Sequence, residues 1–208
     1  MGAINAILRQ FDRATIIAFG CIVVLLFIGA LAEPAFLSPQ YLIQQLHVAS
    51  FLGVVATGVM LVILLGHIDL SIPWTIGVGG MMATGAVSIL GPEWGVPLAI
   101  PFGILCGALI GVVNGLGVAY LRAPSMIFTL GMNAVAQGLM VYHTGGFAPQ
   151  DRATELMREL TVGQLLPGVP NPLLIWLIIG VAAVFMLNRT TLGRQIYAIG
   201  NQERAVFL

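Results

Sequence analysis

Residues 96–121 read VPLAIPFGILCGALIGVVNGLGVAYL, a run of 26 residues without a charged side chain. Because about 20 apolar residues let an α-helix cross the hydrocarbon core of a bilayer, this run predicts a transmembrane helix. The rest of the chain is similar, since 59% of its 208 residues are hydrophobic and none is lysine. The mean hydropathy of +1.01 lies outside the range of soluble globular proteins. The composition therefore predicts an integral membrane protein.

Several other segments approach the same length, and together they predict an all-α membrane protein with about six transmembrane helices. Proline and glycine, as in Gly91-Pro92 and Ala123-Pro124, mark the breaks between spans. The first apolar run is too long for a cleavable signal and is interpreted as a retained span. We expect one transmembrane domain, 1–208. The predicted spans are 14–32, 42–65, 72–90, 96–121, 125–143 and 171–187.

The arginines are distributed unevenly between the two sides of these spans. Because Lys and Arg are enriched in cytoplasmic loops, the side with more arginine is predicted to be cytoplasmic. A cytoplasmic N-terminus leaves only Arg152 and Arg158 outside and puts the others inside, namely Arg9, Arg13, Arg122, Arg189, Arg194 and Arg204. Segment 144–170 then lies outside. There DRATELMREL (151–160) predicts a short amphipathic helix, as part of a solvated loop or as a docking surface or lid.

Glycines recur at every fourth position of the 96–121 span and share one helix face. Small residues at this spacing let helix backbones approach closely in lipid, so the pattern predicts tight helix packing. Asn114 lies beside this stripe, where it either bonds a neighbouring helix or faces a solute pathway. The glycines are Gly103, Gly107, Gly111 and Gly115.

Polar residues also recur every four positions along the 125–143 span: Ser125, Thr129, Asn133 and Gln137. A polar line is unfavourable against lipid, so it is expected to face another helix or a hydrated cavity. Uncharged hydroxyl and amide groups suit a polar, uncharged solute such as a sugar. Interhelical hydrogen bonding is the alternative explanation.

The stretch LLGHIDLSIPW (64–74) places His67, Asp69 and Ser71 between two apolar spans. Gly66 and Pro73 favour a helix break here. In one interpretation Asp69 or Ser71 caps the N-terminus of the following helix. In the other, the break is part of a gate on the pathway, because non-helical backbone at membrane depth requires protein or water around it.

Patterns for catalysis and metal binding are missing from the sequence. His47, His67 and His143 lack metal-ligand spacing, and Cys21 and Cys106 fall in apolar runs that suggest packing. No GxSxG or HExxH motif occurs. A phosphate-binding GxxxxGK[ST] loop requires a lysine that the chain does not have. If the protein uses ATP, a partner must hydrolyse it, so we expect no enzyme activity and no cofactor in this chain.

Three stretches resemble the permease subunits of bacterial ABC importers of the ribose, xylose, arabinose and autoinducer group. GHIDLSIPWTIGVGGMMATGAV is similar to the family's Gly-x-Ile-Asp-Leu-Ser region. GVVNGLGVAYLRAPSMIFTLGMNAVAQGLMVYHTGG is similar to its Asn-Gly to Thr-Leu-Gly region. TTLGRQIYAIGNQERA is similar to its cytoplasmic Gly-Arg-x-x-Tyr-Ala-x-Gly-x-Asn segment. The resemblance covers most of residues 60–208 and implies a membrane subunit that forms the path of a monosaccharide or similar small polar solute.

The resemblance also implies partners and further site residues. Residues 189–208 would begin a cytoplasmic segment that docks on a separate ABC ATPase, which would hold ATP and Mg²⁺. The other implied partners are a second permease subunit, identical or different, and a periplasmic sugar-binding protein, with the bilayer as surroundings and no nucleic acid. The implied location is the bacterial inner membrane. The residues that match the coupling motif are Arg194, Tyr197, Gly200, Asn201 and Glu203.

Permeases of this group are expected to have roughly ten helices, so the chain resembles the N-terminal part of one and is expected to be truncated at its C-terminus. Two alternatives remain within the membrane classes. The chain is either a transporting subunit or a non-transporting remnant or assembly subunit. Within transport, a branched-chain amino acid permease is the rival to a sugar permease. A membrane-embedded enzyme would require a cluster of acids or histidines, and the sequence suggests none.

Overall fold

The computed structural model describes residues 13–201. Within this range nine α-helices and one 3₁₀ helix follow one another, and the prediction of an all-α fold is confirmed. Arg9, Arg204 and the coupling residue Glu203 lie outside the described residues. The helices are α1 Arg13–Ala32, the 3₁₀ helix Pro34–Leu37, α2 Pro39–Leu64, α3 Ile72–Thr84, α4 Ala86–Leu90, α5 Pro92–Tyr120, α6 Ser125–Thr144, α7 Glu155–Val162, α8 Asn171–Arg189 and α9 Thr191–Asn201.

Four of these helices, α2, α5, α6 and α8, are long and apolar enough to cross a bilayer. Helix α1 is also apolar, over the shorter range Ile16–Ala32. Large apolar side chains such as Leu52, Ile104 and Ile178 are exposed on the helix surfaces, as expected for helices that face lipid. Pro97 and Pro101 lie inside α5 without ending it. Proline is tolerated inside transmembrane helices because neighbouring groups satisfy the backbone carbonyls that it leaves unpaired.

The third predicted span, 72–90, is divided between α3 and α4 instead of forming one continuous helix. The interruption is a single residue, Gly85, whose amide bonds the carbonyl of Met81 at 2.8 Å and whose carbonyl accepts from Ile89 at 3.0 Å. The Ser88 hydroxyl also donates to this carbonyl, at 2.8 Å. The two helices therefore follow each other directly, and together they occupy the predicted residues.

The described residues form two compact units, one ending at Ala49 and the other beginning at Ser50. In the first unit the 3₁₀ helix returns onto the end of α1. A β-carbon on Gly29 would lie 2.8 Å from the Phe36 ring, and the Phe36 and Tyr41 rings have centroids 4.7 Å apart. The glycine therefore provides the room in which the Phe36 ring packs.

The second unit is built around α5, against which α3 and α4 pack closely. A β-carbon on Gly103 would lie 2.5 Å from the Gly79 carbonyl oxygen and 2.7 Å from Ala83. Gly117 lies directly against the ring of Phe128 on α6. At Gly103 and Gly117 a residue larger than glycine would therefore collide with its neighbours.

The regular glycine stripe of α5 explains only part of this packing. Gly103 is in tight contact, and a β-carbon on Gly107 would lie at an ordinary van der Waals distance of 3.8 Å from Thr75. At Gly111 and Gly115 no neighbouring atom of the described residues lies within 4 Å of the place that a β-carbon would occupy. Within the described residues Gly111 and Gly115 therefore make no close helix contact, and their part in helix packing stays a prediction.

Helix α8 packs on α2 through one aromatic side chain. The ring of Trp176 lies directly over Gly53, and its Nε1 donates to the Thr57 hydroxyl at 3.3 Å.

The helix α7 is the short helix expected in segment 151–160, and it begins at Glu155. The Thr154 hydroxyl caps it by accepting from the Met157 amide at 3.4 Å.

Candidate functional site

The chain leaves helical structure between α2 and α3, in a segment that we call the break, residues 65–71. Gly66 has a φ of +81°, a backbone conformation that only glycine adopts at low cost. Pro73 lies in the first turn of α3, where its missing N–H is not needed. These two residues explain why the helix stops and restarts here.

Helix α6 holds the backbone of the break through its first two polar side chains. The Ser125 hydroxyl accepts from the Ile68 amide at 3.2 Å, and the Thr129 hydroxyl accepts from the Leu70 amide at 2.9 Å. Thr129 is almost completely buried and donates its own proton to the Ser125 carbonyl at 2.8 Å. Interhelical hydrogen bonding, the alternative explanation of the polar line, therefore describes these two residues.

A chain of side chains fixes the end of the break. The Ser71 hydroxyl donates to Asp69 Oδ1 at 2.6 Å, and the same oxygen accepts from the Ser71 amide at 2.8 Å. From α5, Asn114 Nδ2 donates to Ser71 Oγ at 2.8 Å. Ser71 and Asn114 are buried. These hydrogen bonds join α5 to the break.

The capping interpretation of Asp69 and Ser71 is wrong in this structure. Ser71 is the residue before α3, and its side chain makes no capping hydrogen bond. Asp69 bonds the amide of Ser71 itself, outside the helix. The reason is local, because an Asp carboxylate readily accepts from the amide two residues ahead and closes a turn.

A cavity of about 470 Å³ lies beside the break, in the second unit. The end of α2, the C-terminal half of α5, the start of α6 and Ile199 of α9 complete its wall. Gly111 and Gly115 form part of this wall, which is why nothing packs against them. The polar lining residues are His67, Asp69, Asn114, Ser125 and Thr129.

The structure brings together most of the residues expected on the solute pathway, but not all. Asn133 and Gln137 lie further along α6 and do not border this cavity. Asn133 Oδ1 is buried without a hydrogen-bond partner in the described residues, and Gln137 is exposed. Ser71 lies behind the wall, bonded to Asp69 and Asn114.

The expected coupling segment contains helix α9, and its end reaches the break. Arg194 and Tyr197 are exposed, Tyr197 by 49%. Gly200 lies directly against the carbonyl of Leu64, the last residue of α2. Asn201 ends α9. Sequence reasoning missed that Ile199 lines the cavity, because only the amphipathic pattern of α9 hints that one face is covered.

Helices of membrane-spanning length around a polar cavity define this chain as a multi-pass membrane protein. Residues 41–208 match the family model described as "branched-chain amino acid transport system / permease component". The chain therefore belongs to this family of membrane permease components, which are not enzymes.

Named relatives of the chain are import permeases. It is 36% identical to the ribose import permease protein RbsC of Escherichia coli K12, over 96% of this chain and 63% of the relative. It is 34% identical to the autoinducer 2 import system permease protein LsrC of E. coli K12/DH10B, over 86% and 51%. It is 30% identical to the L-arabinose ABC transporter permease protein AraH of Azospirillum brasilense, over 86% and 51%.

The chain spans between about half and three fifths of the length of these curated relatives. No solved structure matches it significantly.

Proposed function

We propose that the chain is the membrane subunit of an ATP-driven importer for a monosaccharide or a similar neutral, polar solute. The observation that carries this proposal is the cavity beside the break, where Asp69, Asn114 and His67 are part of a mostly apolar wall. Polar groups are costly within a membrane, so their convergence on a cavity supports a solute path. The names of the relatives, which include ribose, L-arabinose and autoinducer 2, support the class of solute.

The chemistry of the cavity favours a neutral solute over an amino acid. Asp69 is the only carboxylate in the described wall, and no arginine lies beside it. The carboxylate of a zwitterionic amino acid would be repelled by Asp69. The hydroxyl groups of a sugar donate readily to carboxylate and amide oxygens.

A branched-chain amino acid is the second candidate solute, because the family description names this class. The apolar part of the cavity wall, which includes Val62, Val118 and Ile199, would suit its side chain. Its carboxylate would have to be accommodated elsewhere than beside Asp69. The two candidates therefore differ in a property that competition experiments measure.

ATP hydrolysis is assigned to a partner subunit, and α9 is proposed to be part of the surface that binds it. Arg194 and Tyr197 are exposed on α9, whereas Gly200 contacts the end of α2. A movement of α9 would therefore reach the break directly, which supports a gate made of His67, Asp69 and Ser71. The further proposed partners are a second permease subunit and a periplasmic binding protein.

The proposed location is the bacterial inner membrane, with the N-terminus in the cytoplasm. The cavity lies at the bundle end formed by the C-termini of α2 and α5 and the start of α6. Arg122 follows α5, and Arg189 ends α8. The arginine bias therefore supports a cytoplasmic position for this end.

Uptake competition tests the proposal. Cells that express the chain with its ATPase and binding protein are supplied with radiolabelled D-ribose or L-arabinose, and unlabelled sugars or branched-chain amino acids compete. We expect inhibition by neutral sugars and none by leucine. An ATPase partner whose phosphate-binding lysine is replaced is the control for ATP dependence. Leucine uptake, or inhibition of uptake by leucine alone, would contradict the proposal.

A further inference from the structure

In the side-chain amide of Asn114, the nitrogen has a hydrogen-bond partner in the described residues and the oxygen has none. The residue borders the cavity, and it is only 6% exposed. Nδ2 donates to Ser71 Oγ at 2.8 Å. Oδ1 is buried and has no hydrogen-bond partner within the described part of the chain. A buried acceptor in this state is unfavourable, so a partner is expected during the working cycle.

The orientation of this amide follows from its neighbours. The Asp69 carboxylate only accepts, so the single hydrogen of the Ser71 hydroxyl is committed to Asp69 Oδ1, at 2.6 Å. Ser71 Oγ can then only accept from Asn114, and the amide must present its NH₂ group. A flipped amide would set two acceptor oxygens against each other. The free atom of Asn114 is therefore the carbonyl oxygen.

We propose that Asn114 Oδ1 accepts a hydrogen bond from one hydroxyl group of the transported solute and thereby determines specificity. Ser71 and Asp69 are positioning residues, because they act by holding the amide in this orientation. The inference rests on the proposed function and adds the solute group that is recognised. It also assigns different tasks to the polar lining residues, since Ser125 and Thr129 already bond the backbone of the break.

The inference makes a prediction about solutes that lack one hydroxyl. A site built to bond a hydroxyl discriminates strongly against the deoxy analogue, because its own polar group is then left unpaired. For the amide of Asn114 we expect the analogue that lacks the recognised hydroxyl to bind on the order of tenfold more weakly. The other monodeoxy analogues should be affected less.

Binding is measured by saturation-transfer NMR on the complex of permease and ATPase in lipid nanodiscs, which detects millimolar affinities without the binding protein. The probes are D-ribose, L-arabinose and their monodeoxy analogues. In Asn114→Leu the sugar and the analogue that lacks the recognised hydroxyl should bind with about equal affinity. Ser71→Ala should reduce the discrimination partly, because the amide is then free to rotate. Thr84→Val is the matched control, since the Thr84 hydroxyl donates only within α3, to the Gly80 and Met81 carbonyls.

The outcomes separate the inference from the proposed function. If the sugars bind and Asn114→Leu weakens all analogues equally, with their ratios unchanged, the inference is wrong and the proposed function stands. If the wild-type complex binds neither sugar and uptake also fails, both are wrong. Should Asn114→Leu not reach the membrane, Ser71→Ala decides, because an unchanged ratio in that variant contradicts the role of the positioning residues.

Discussion

The amide of Leu70 in the break donates a 2.9 Å hydrogen bond to the hydroxyl of Thr129, a residue 59 positions later in the chain. A helix supplies its own backbone partners, but the amides of Ile68 and Leu70 lie outside a helix and bond side chains of α6 instead. A side chain of α6 therefore supplies the hydrogen-bond acceptor that the Leu70 amide of the break needs. The stability of this segment depends on two hydroxyl groups, those of Ser125 and Thr129.

Thr129→Val should loosen the break without unfolding the bundle. Valine has nearly the same shape but leaves the Leu70 amide without the Thr129 hydroxyl as its acceptor, at a cost of about 1 kcal/mol. Hydrogen exchange followed by mass spectrometry should show faster exchange across residues 65–71, by about tenfold. Thr144→Val is the control on the same helix, because that hydroxyl donates only to Met140 and Val141. Equal exchange in both variants would contradict the proposed contribution of Thr129.

Gly200→Ala should uncouple ATP hydrolysis from transport. Its added methyl would collide with the Leu64 carbonyl and displace α9 from the end of α2. We expect copurification with the ATPase to be retained, while uptake falls several-fold relative to ATP hydrolysis. The control is Gly180→Ala on α8, where nothing lies within 4 Å of the added methyl. Wild-type uptake in Gly200→Ala would show that this contact does not transmit movement.

Gly103→Ala and Gly111→Ala should differ, although both belong to the same stripe. At Gly103 the methyl would lie 2.5 Å from the Gly79 carbonyl, which forces α3 and α5 apart at a cost of about 1–3 kcal/mol. At Gly111 it would enter the cavity. Thermal unfolding in detergent should therefore detect a lower midpoint only for Gly103→Ala. Similar midpoints for the two variants would contradict the division of the stripe.

Asp69→Asn should relax the exclusion of anionic solutes. The negative charge at the cavity wall repels a carboxylate, and at a few ångströms this costs about 4 kcal/mol in a partly polar surrounding. A sugar acid such as ribonate should therefore compete with ribose for binding at least tenfold better in the variant. The measurement is NMR competition at pH 7, with Asp151→Asn as a control carboxylate outside the cavity wall. If ribonate competes equally well with the wild-type and variant proteins, the charge of Asp69 does not select the solute.

Much of the fold follows from the distribution of apolar residues, and the reasons are physical. The helices α2, α5, α6 and α8 are long and mostly apolar, and the cost of an unpaired backbone in lipid makes them helical. The break was predictable from Gly66 and Pro73, since both residues disfavour a continuous helix. The interruption at Gly85 was not, because a glycine inside an apolar run is equally compatible with a continuous helix.

The site was predictable only in part, because periodicity defines a helix face and does not identify what the face contacts. Ser125 and Thr129 were correctly grouped, yet their hydroxyls serve the backbone of the break. Asn133 and Gln137 share their spacing but lie beyond the cavity. The contact between Gly200 and Leu64 joins distant parts of the chain and leaves no local pattern in the sequence.

Gly111 and Gly115 suggest how the solute preference of such a permease could be altered. Both residues border the cavity and have open space where a side chain would begin. A methyl group at either position would reduce the volume of the cavity and leave the hydrogen bonds of the break and of Asn114 in place. In the proposed importer, different residues would therefore control the size of the accepted molecule and the chemical group that is recognised. Each can be redesigned independently of the other.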